Sequence, residues 1–451
     1  MRKFLSAAVI AAMSTSAAAV DLMGVYELAS SNDPQIRAAE RRLDAAQLET
    51  KLARANFLPQ VNSTLQRTPI GESQPKIAGV DLPETDVDTE SYSVNLTQSL
   101  FDYRNFAEME RARRVIAQAD SQYAVAFQNF LQRTAQRYFD MLNAIDNLRF
   151  AEAEEKALKR QFEQAEQRFE VGLSAVTDFL EAQAAWDAAR ARVIVAENAL
   201  ENAREGLREL TGTMFESFKP LSEDLPLNRP TPPSSREWVE IALQSSPDLL
   251  AARENVAIAD SEVEIARSGH FPTLELAANY SRSLDNEFTL RADDQTQIGT
   301  TTFQNDRWSA LIRLNVPIFS GLAVQSRTRQ ARINRSVAGE ELDLNQRQTV
   351  RATENAFRAV IAGIREVEAL KQALVSADSA LEATNAGFEV GTRTIVDVLL
   401  AEQRFFQAQR DYSQARHQLI LDRLGLRRSA GTLAPEDLQQ ANELLVGPER
   451  G

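Results

Sequence analysis

The chain has 451 residues, with 50 basic against 64 acidic side chains, a formal charge of −14, two histidines and no cysteine. The lack of cysteine excludes disulfides and a lipid anchor on an N-terminal cysteine, and two histidines all but exclude a His/Cys metal centre or a histidine-based triad. The acidic balance argues against nucleic acid as a partner, while few aromatics and abundant Ala, Gln, Glu and Arg are the composition of long helices.

The chain opens like an exported protein. Arg2 and Lys3, the apolar stretch Phe4–Met13 and the small residues Ala17, Ala18 and Ala19 stand in the order of a secretory signal, so residues 1–19 read as a signal peptide. Its removal takes two basic residues and moves the formal charge to −16. Beyond it there is no run of 18 apolar residues, so no transmembrane helix is expected.

The rest of the chain is a duplication. Tyr26–Gln66 aligns without gaps on Val239–Asn279 at an offset of 213, which places Pro34 on Pro247, Ala53-Arg54 on Ala266-Arg267 and Pro59 on Pro272. Leu100-Phe101 meets Ile318-Phe319 at 218, and Phe169-Glu-Val-Gly172 meets Phe388-Glu-Val-Gly391 at 219. We read residues 20–211 as a first structural repeat, 212–237 as a Pro-rich linker, 238–431 as a second repeat and 432–451 as a C-terminal tail.

Each repeat runs through the same periods. A helical run (Asp33–Asn56; Ser246–Ser268) ends near a proline. Period-two alternation comes next: Val61, Ser63 and Leu65, then Tyr92, Val94, Leu96 and Leu100; in the second copy Leu274, Leu276, Ala278 and Tyr280, then Trp308, Ala310, Ile312, Leu314, Val316 and Ile318. Such alternation is a strand with one apolar face. The strands of each pair are expected to flank a polar, acidic loop, Ile70–Asp88 or Asp285–Asp306. After them stand Tyr103–Glu170 and Leu322–Glu389, both free of proline, with apolar steps of three and four (Leu131, Ala135, Tyr138, Leu142, Ile145; Phe357, Val360, Ile364, Val367, Leu370, Leu374) that make coiled-coil seams. Unbroken, each helix would be on the order of 100 Å long. Gly172 and Gly391 then read as helix stops at the tips of αα-hairpins, after which Thr177 and Thr394 start return helices from Asp178 to about Leu210 and from Asp397 to about Leu426.

Four strands with an apolar outer face leave two open edges, and a membrane offers no water to satisfy them. Two chains would give eight strands and a filled interior; three give twelve and room for a lumen. The expected fold is mainly α with a transmembrane β part: duplicated long-helix hairpins forming a trimeric α-barrel, and a 12-stranded β-barrel to which each chain adds four strands. A small soluble β-subdomain on a helical rod would also use four strands. Export, the aromatics Phe101, Trp308 and Phe319 near strand ends, and the long acidic loops favour the membrane.

The duplication, the strand–loop–strand insertions and the run Gly391-Thr-Arg393-Thr-Ile-Val-Asp397-Val-Leu399, with its partner Gly172-Leu-Ser-Ala-Val-Thr177-Asp178, resemble the TolC family of outer-membrane export channels. The resemblance covers about Val20 to Leu433. It implies a homotrimer in outer-membrane lipid that extends into the periplasm, with the linker and tail forming an equatorial belt. The tips Phe169, Gly172, Phe388 and Gly391 would dock onto a periplasmic adaptor and an inner-membrane ABC or proton-driven pump. Carried over by position, Asp397 is the constriction aspartate and Arg393 a link donor, with Thr177 and Asp178 as its acceptors across a subunit contact. Two departures stand out: Phe388 replaces the family's tyrosine, and Leu400 replaces a second constriction aspartate. Three Asp397 carboxylates on one axis would repel, raise one another's pKa and attract multivalent cations; taken alone, Asp397 is simply a first-turn acid favoured by a helix N-terminus.

The function expected is a passive exit duct, without enzymatic activity or cofactor, for type I protein secretion or multidrug efflux. A structural trimeric coiled coil without channel activity is the alternative. A periplasmic adaptor would need a lipoyl-like β segment, which is not seen.

Overall fold

The computed structural model describes residues 19–73, 76–77, 80–81, 85–291 and 297–446. The signal segment lies outside them except for Ala19, as do the last five residues of the tail. In chain order the elements are α1 (Leu22–Asn32), α2 (Pro34–Gln47), α3 (Glu49–Ala55), β1 (Gln60–Ser73), the two-residue strands β2 (Lys76–Ile77) and β3 (Val80–Asp81), β4 (Thr85–Phe101), α4 (Tyr103–Glu170), α5 (Val176–Thr211), α6 (Ser235–Ser245), α7 (Pro247–Arg267), β5 (Thr273–Arg291), β6 (Gln297–Asn315), α8 (Ala323–Glu389), α9 (Ile395–Ser429) and α10 (Pro435–Asn442). The chain divides into two compact units, one made of the residues up to Arg41, Ser121–Leu250 and those from Leu344 on, the other of Arg42–Asp120 and Ala251–Asp343.

The second unit holds an antiparallel sheet in the order β1-β4-β5-β6, so the two repeats meet along β4 and β5 while β1 and β6 remain as edges. Register puts like residues in rows. On one face lie Val61–Leu96–Ala278–Ala310 and Ser63–Val94–Tyr280–Trp308; on the other lie Asn62–Asn95–Asn279–Ser309 and Thr64–Ser93–Ser281–Arg307. Apart from Gln98, the first face is apolar from Tyr92 to Leu100 along β4, about 26 Å of strand at some 3.3 Å per residue, and Trp308, Ile312 and Leu314 stand exposed on it. It is rimmed by the ion pairs Arg67–Asp88 (3.0 Å) and Arg282–Asp306 (3.0 Å). The expected loops Ile70–Asp88 and Asp285–Asp306 are mostly strand instead: β1 continues to Ser73, β4 begins at Thr85, β5 reaches Arg291 and β6 begins at Gln297. Beyond the apolar band, polar residues such as Gln66, Arg67 and Thr68, or Asp88, Thr89 and Glu90, occupy both alternating positions. The period-two signal therefore fades although backbone pairing continues.

In the first unit the core joins Leu22 and Val25 of α1, Phe130, Leu131, Tyr138 and Leu142 of α4, Leu207 and Leu210 of α5, Ile420 and Leu424 of α9 and Leu438 of α10. A second cluster gathers Val360, Ile364 and Val367 of α8 with Trp238, Leu419 and Leu426. The α4 seam is therefore buried as expected. Residues of the linker pair with both ends of the described chain: Phe218 bridges to Val20 and Leu221 to Leu445. The Tyr138 hydroxyl donates to Lys219 O (2.9 Å) and Val20 O (3.3 Å), fixing both strands on α4. The helical run Asp33–Asn56 proves to be two helices, broken at Leu48, whereas Gly339 and Gly363 do not interrupt α8. At Gly363 a side chain would meet Leu419 Cδ1 at 3.3 Å, so the glycine lets α8 and α9 approach. Among the described residues no helix is long and apolar enough to cross a membrane.

Candidate functional site

The two hairpin tips, both in the first unit, are built alike. Gly172 (φ 74°) and Gly391 (φ 79°) take the left-handed conformation that costs other residues strain. Gly172 N–H donates to Phe169 O (2.9 Å) and Leu173 N–H to Arg168 O (2.7 Å); Gly391 N–H donates to Phe388 O (3.1 Å) and Thr392 N–H to Gly387 O (2.8 Å). These nested bonds satisfy the last carbonyls of α4 and α8 and turn the chain back.

The starts of the return helices differ. Thr394 caps α9: its hydroxyl accepts Asp397 N–H (3.3 Å), and Asp397 Oδ2 accepts both the Thr394 N–H (3.0 Å) and its hydroxyl (2.9 Å). In α5 the cap position is Ala175, which has no side-chain oxygen to offer, so Thr177 does not start the helix as expected. Thr177 and Asp178 lie inside its first turn, where Asp178 N–H bonds to Ala175 O (3.1 Å).

This box governs the electrostatics of Asp397. The Thr394 backbone N–H, then its hydroxyl and the charge of Arg393, hold the carboxyl below its ordinary value of 3.8, against a smaller opposing effect of desolvation. Within one chain the direction is thus opposite to the rise expected for three carboxylates on one axis. Arg393 lies beside Asp397 and is not bonded to Thr177 or Asp178 in the same chain. Its stem rests on Gly387, where a Cβ would come within 2.8 Å of Arg393 Cγ.

Several contacts at the tips go beyond what the sequence shows. The Arg168 guanidinium stacks on the Phe388 ring at 4.8 Å and links one hairpin end to the other. Arg168 stands where the second repeat has Gly387, and that mismatch in the duplication was the available signal. A column of rings, Phe169–Phe179 (5.8 Å), Phe179–Phe162 (5.5 Å) and Phe162–Trp186 (5.1 Å), stiffens the first hairpin. Trp186 Nε1 donates to Glu155 (2.6 Å). Ile395, Val398 and Leu399 of α9 bury themselves against Leu158 and Ala165 of α4 and Ala182 and Ala189 of α5. By contrast, no described residue of α8 beyond Val367 is buried within the chain.

Farther from the tips, polar contacts join α9 to α4: Gln161 to Glu402 (3.0 Å), Arg410 to Glu154 (2.9 Å), Ser413 to Asp146 (2.5 Å), His417 to Asn143 (2.6 Å) and Arg428 to Asn129 (2.8 Å). Glu154 also accepts from Arg192 of α5 (2.9 Å), so one buried carboxylate holds three helices. Burial raises the Glu402 carboxyl above its usual range and lowers His417 to about 4. Among the described residues no group of His, Asp and Glu could hold a metal ion.

A sheet with one apolar and one polar face, carried with paired hairpins whose long arms are 68 and 67 residues, defines an outer-membrane channel subunit. The chain belongs to the outer membrane efflux protein family, which it matches over residues 25–213 and 238–432. It is 37% identical over 450 residues to the outer membrane protein TolC of Vibrio cholerae, covering 98% of each chain. It is 29% identical over 434 residues to the proteases secretion protein PrtF of Dickeya chrysanthemi, covering 94% of this chain and 91% of the relative. The crystal structure of the outer membrane protein VceC of Vibrio cholerae superposes with a TM-score of 0.73 at 19% identity, over 91% of this chain and 96% of that one. This protein is an outer-membrane exit duct for secretion or efflux.

Proposed function

We propose that three copies assemble into the duct, each adding four strands to one barrel, and that the hairpin tips form its gate. The observation that carries this is the sheet: β1 and β6 are unpaired edges of a surface apolar on one side and polar on the other. Only closure with further copies satisfies those edges in lipid. The unburied end of α8 supports the same assembly, since it leaves a face for a neighbouring subunit.

In the gate, one Asp397 from each chain forms an acidic ring, held in place by Thr394, and Arg393 reaches Thr177 and Asp178 of the adjacent subunit. Phe388 offers no hydroxyl to these links, and Leu400 leaves the ring single. The tips dock onto a periplasmic adaptor and, through it, an inner-membrane pump. Similarity to a relative named for protease secretion favours polypeptide export with an ABC-type pump. Residues 1–19 are removed on export, and 20–211 and 238–431 act as the two structural repeats on either side of the linker.

Native mass measurement in detergent and planar-bilayer recording test this. The expected result is a trimer of the mature chain with small, cation-blocked conductance; Asp397→Lys abolishes the block. A monomer without conductance would overturn the duct, and block unchanged in Asp397→Lys would remove that residue from the gate.

A further inference from the structure

The polar face of the sheet carries a charge that the gate does not use. Asp306 pairs with Arg282 at 3.0 Å on the face that bears Trp308, so Arg307 points to the opposite, polar face. Five full rows can be read on that face: Thr68–Thr89–Asp285–Phe303, Gln66–Ser91–Ser283–Asn305, Thr64–Ser93–Ser281–Arg307, Asn62–Asn95–Asn279–Ser309 and Gln60–Thr97–Ala277–Leu311. Arg307 is the one basic residue in them, and the one acid, Asp285, stands two rows away, about 13 Å along the strands. The next row brings Glu275 directly opposite Arg313, which offset each other, six residues and about 20 Å farther along β6. Arg307 has no ion-pair or hydrogen-bond partner among the described residues. It sits on an edge strand, and the β1 strand that closes the barrel brings the neutral Gln60, Asn62, Thr64, Gln66 and Thr68 to the same face.

We infer that Arg307 forms a threefold arginine ring in the barrel lumen, a binding site for multivalent anions, opposite in sign to the acidic ring at the tips. This rests on the trimeric duct proposed above. Three guanidiniums at one level, with neutral hydroxyl and amide side chains around them, focus positive potential inside a low-dielectric wall. Arginine keeps its charge at every working pH and offers forked donors that match carboxylate and phosphate oxygens. Cargo rich in clustered carboxylates or phosphates would therefore be held at this level on its way out. The charge on Arg307 sets which sign of cargo the barrel retains.

The test is planar-bilayer recording of the intact trimer with tripolyphosphate added on the barrel side. At 0.1 M salt, where the screening length is about 10 Å, the wild-type protein is expected to show anion block; at 1 M, where it is about 3 Å, the block disappears. Arg307→Gln should raise the half-blocking concentration roughly tenfold, and Arg307→Lys should restore most of the block, since it returns the charge. Asp397→Asn, at the other ring, should leave anion block from the barrel side unchanged. Equal block in wild type and Arg307→Gln, or no block at low salt, overturns the ring while leaving the duct intact. A protein that conducts nothing takes the duct and the ring down together.

Discussion

Thr394 and Asp397 hold one another through three hydrogen bonds, and this decides how the proposed gate should respond to acid. The cap lowers the Asp397 carboxyl from 3.8 and so favours its ionised form, which extends cation block to lower pH than an uncapped carboxyl at the same place would give. Thr394→Ala keeps the backbone N–H but removes the hydroxyl, which raises the Asp397 pKa toward its ordinary value. Block should then be lost at a higher pH than in the wild type. Any mutual repulsion among three carboxylates raises both proteins alike and leaves the difference standing. Titrating the block by a trivalent cation from pH 6 to pH 3 measures it; coincident curves would mean the cap does not set the charge. At this scale the sequence showed the acid, the capping threonine and both tip glycines, because each acts through neighbours three or four residues away. It did not show Arg168 on Phe388, or Arg393 packed over Gly387. The first joins residues far apart in the chain with no shared period, and the second depends on how tightly one turn closes.

Among elements, α4 and α9 are joined by a polar seam as well as by apolar clusters, with Glu154 as the most buried member of that seam. It touches Arg192 of α5 and Arg410 of α9 at 2.9 Å each, and its side chain is 1% exposed. Replacing it by Gln leaves two guanidiniums facing each other without a counter-charge. Fully buried pairs broken in this way cost about 3–5 kcal/mol; here both arginines reach solvent, so about 2 kcal/mol is expected. The thermal midpoint of Glu154→Gln in detergent should drop, and replacing Glu154, Arg192 and Arg410 together by apolar residues should recover part of the loss. An unchanged midpoint would make the triad ornamental to stability. The helices themselves were legible because seam residues such as Leu131, Ala135 and Tyr138 recur every three or four positions. The polar seam was hidden, since Glu154 and Glu402 look like any other acids on a helix surface until the neighbouring helix covers them. Strand length was underestimated for a related reason: where apolar residues are sparse on both faces, backbone pairing holds Thr85–Ser91 and Asp285–Arg291 in place without leaving a clear pattern in the sequence.

For the whole molecule, the duplication decides the architecture. Each repeat supplies one strand pair, the pairs meet at β4 and β5, and the outer edges β1 and β6 are left for other copies. The repeat and the period-two alternation dictate that much; they do not dictate the number of copies, because strand count bounds closure without fixing it. The two faces of β6 give the sharpest check on the membrane assignment. Ile312 and Leu311 are adjacent, apolar and both exposed in the single chain, at 66% and 42%. Composition alone cannot tell them apart, yet alternation sends Ile312 to the face of Trp308 and Leu311 to the face of Arg307. An arginine on the lipid face near the bilayer midplane costs about 2–4 kcal/mol, and a closed trimer would bear that cost three times over, whereas a lumen position only retunes selectivity. Ile312→Arg should therefore fail to fold into liposomes or to give a detergent-resistant trimer. Leu311→Arg should do both, and should strengthen block by multivalent anions by adding a second basic ring two rows from Arg307. If the two variants folded equally well, the apolar face of this sheet would not be meeting lipid.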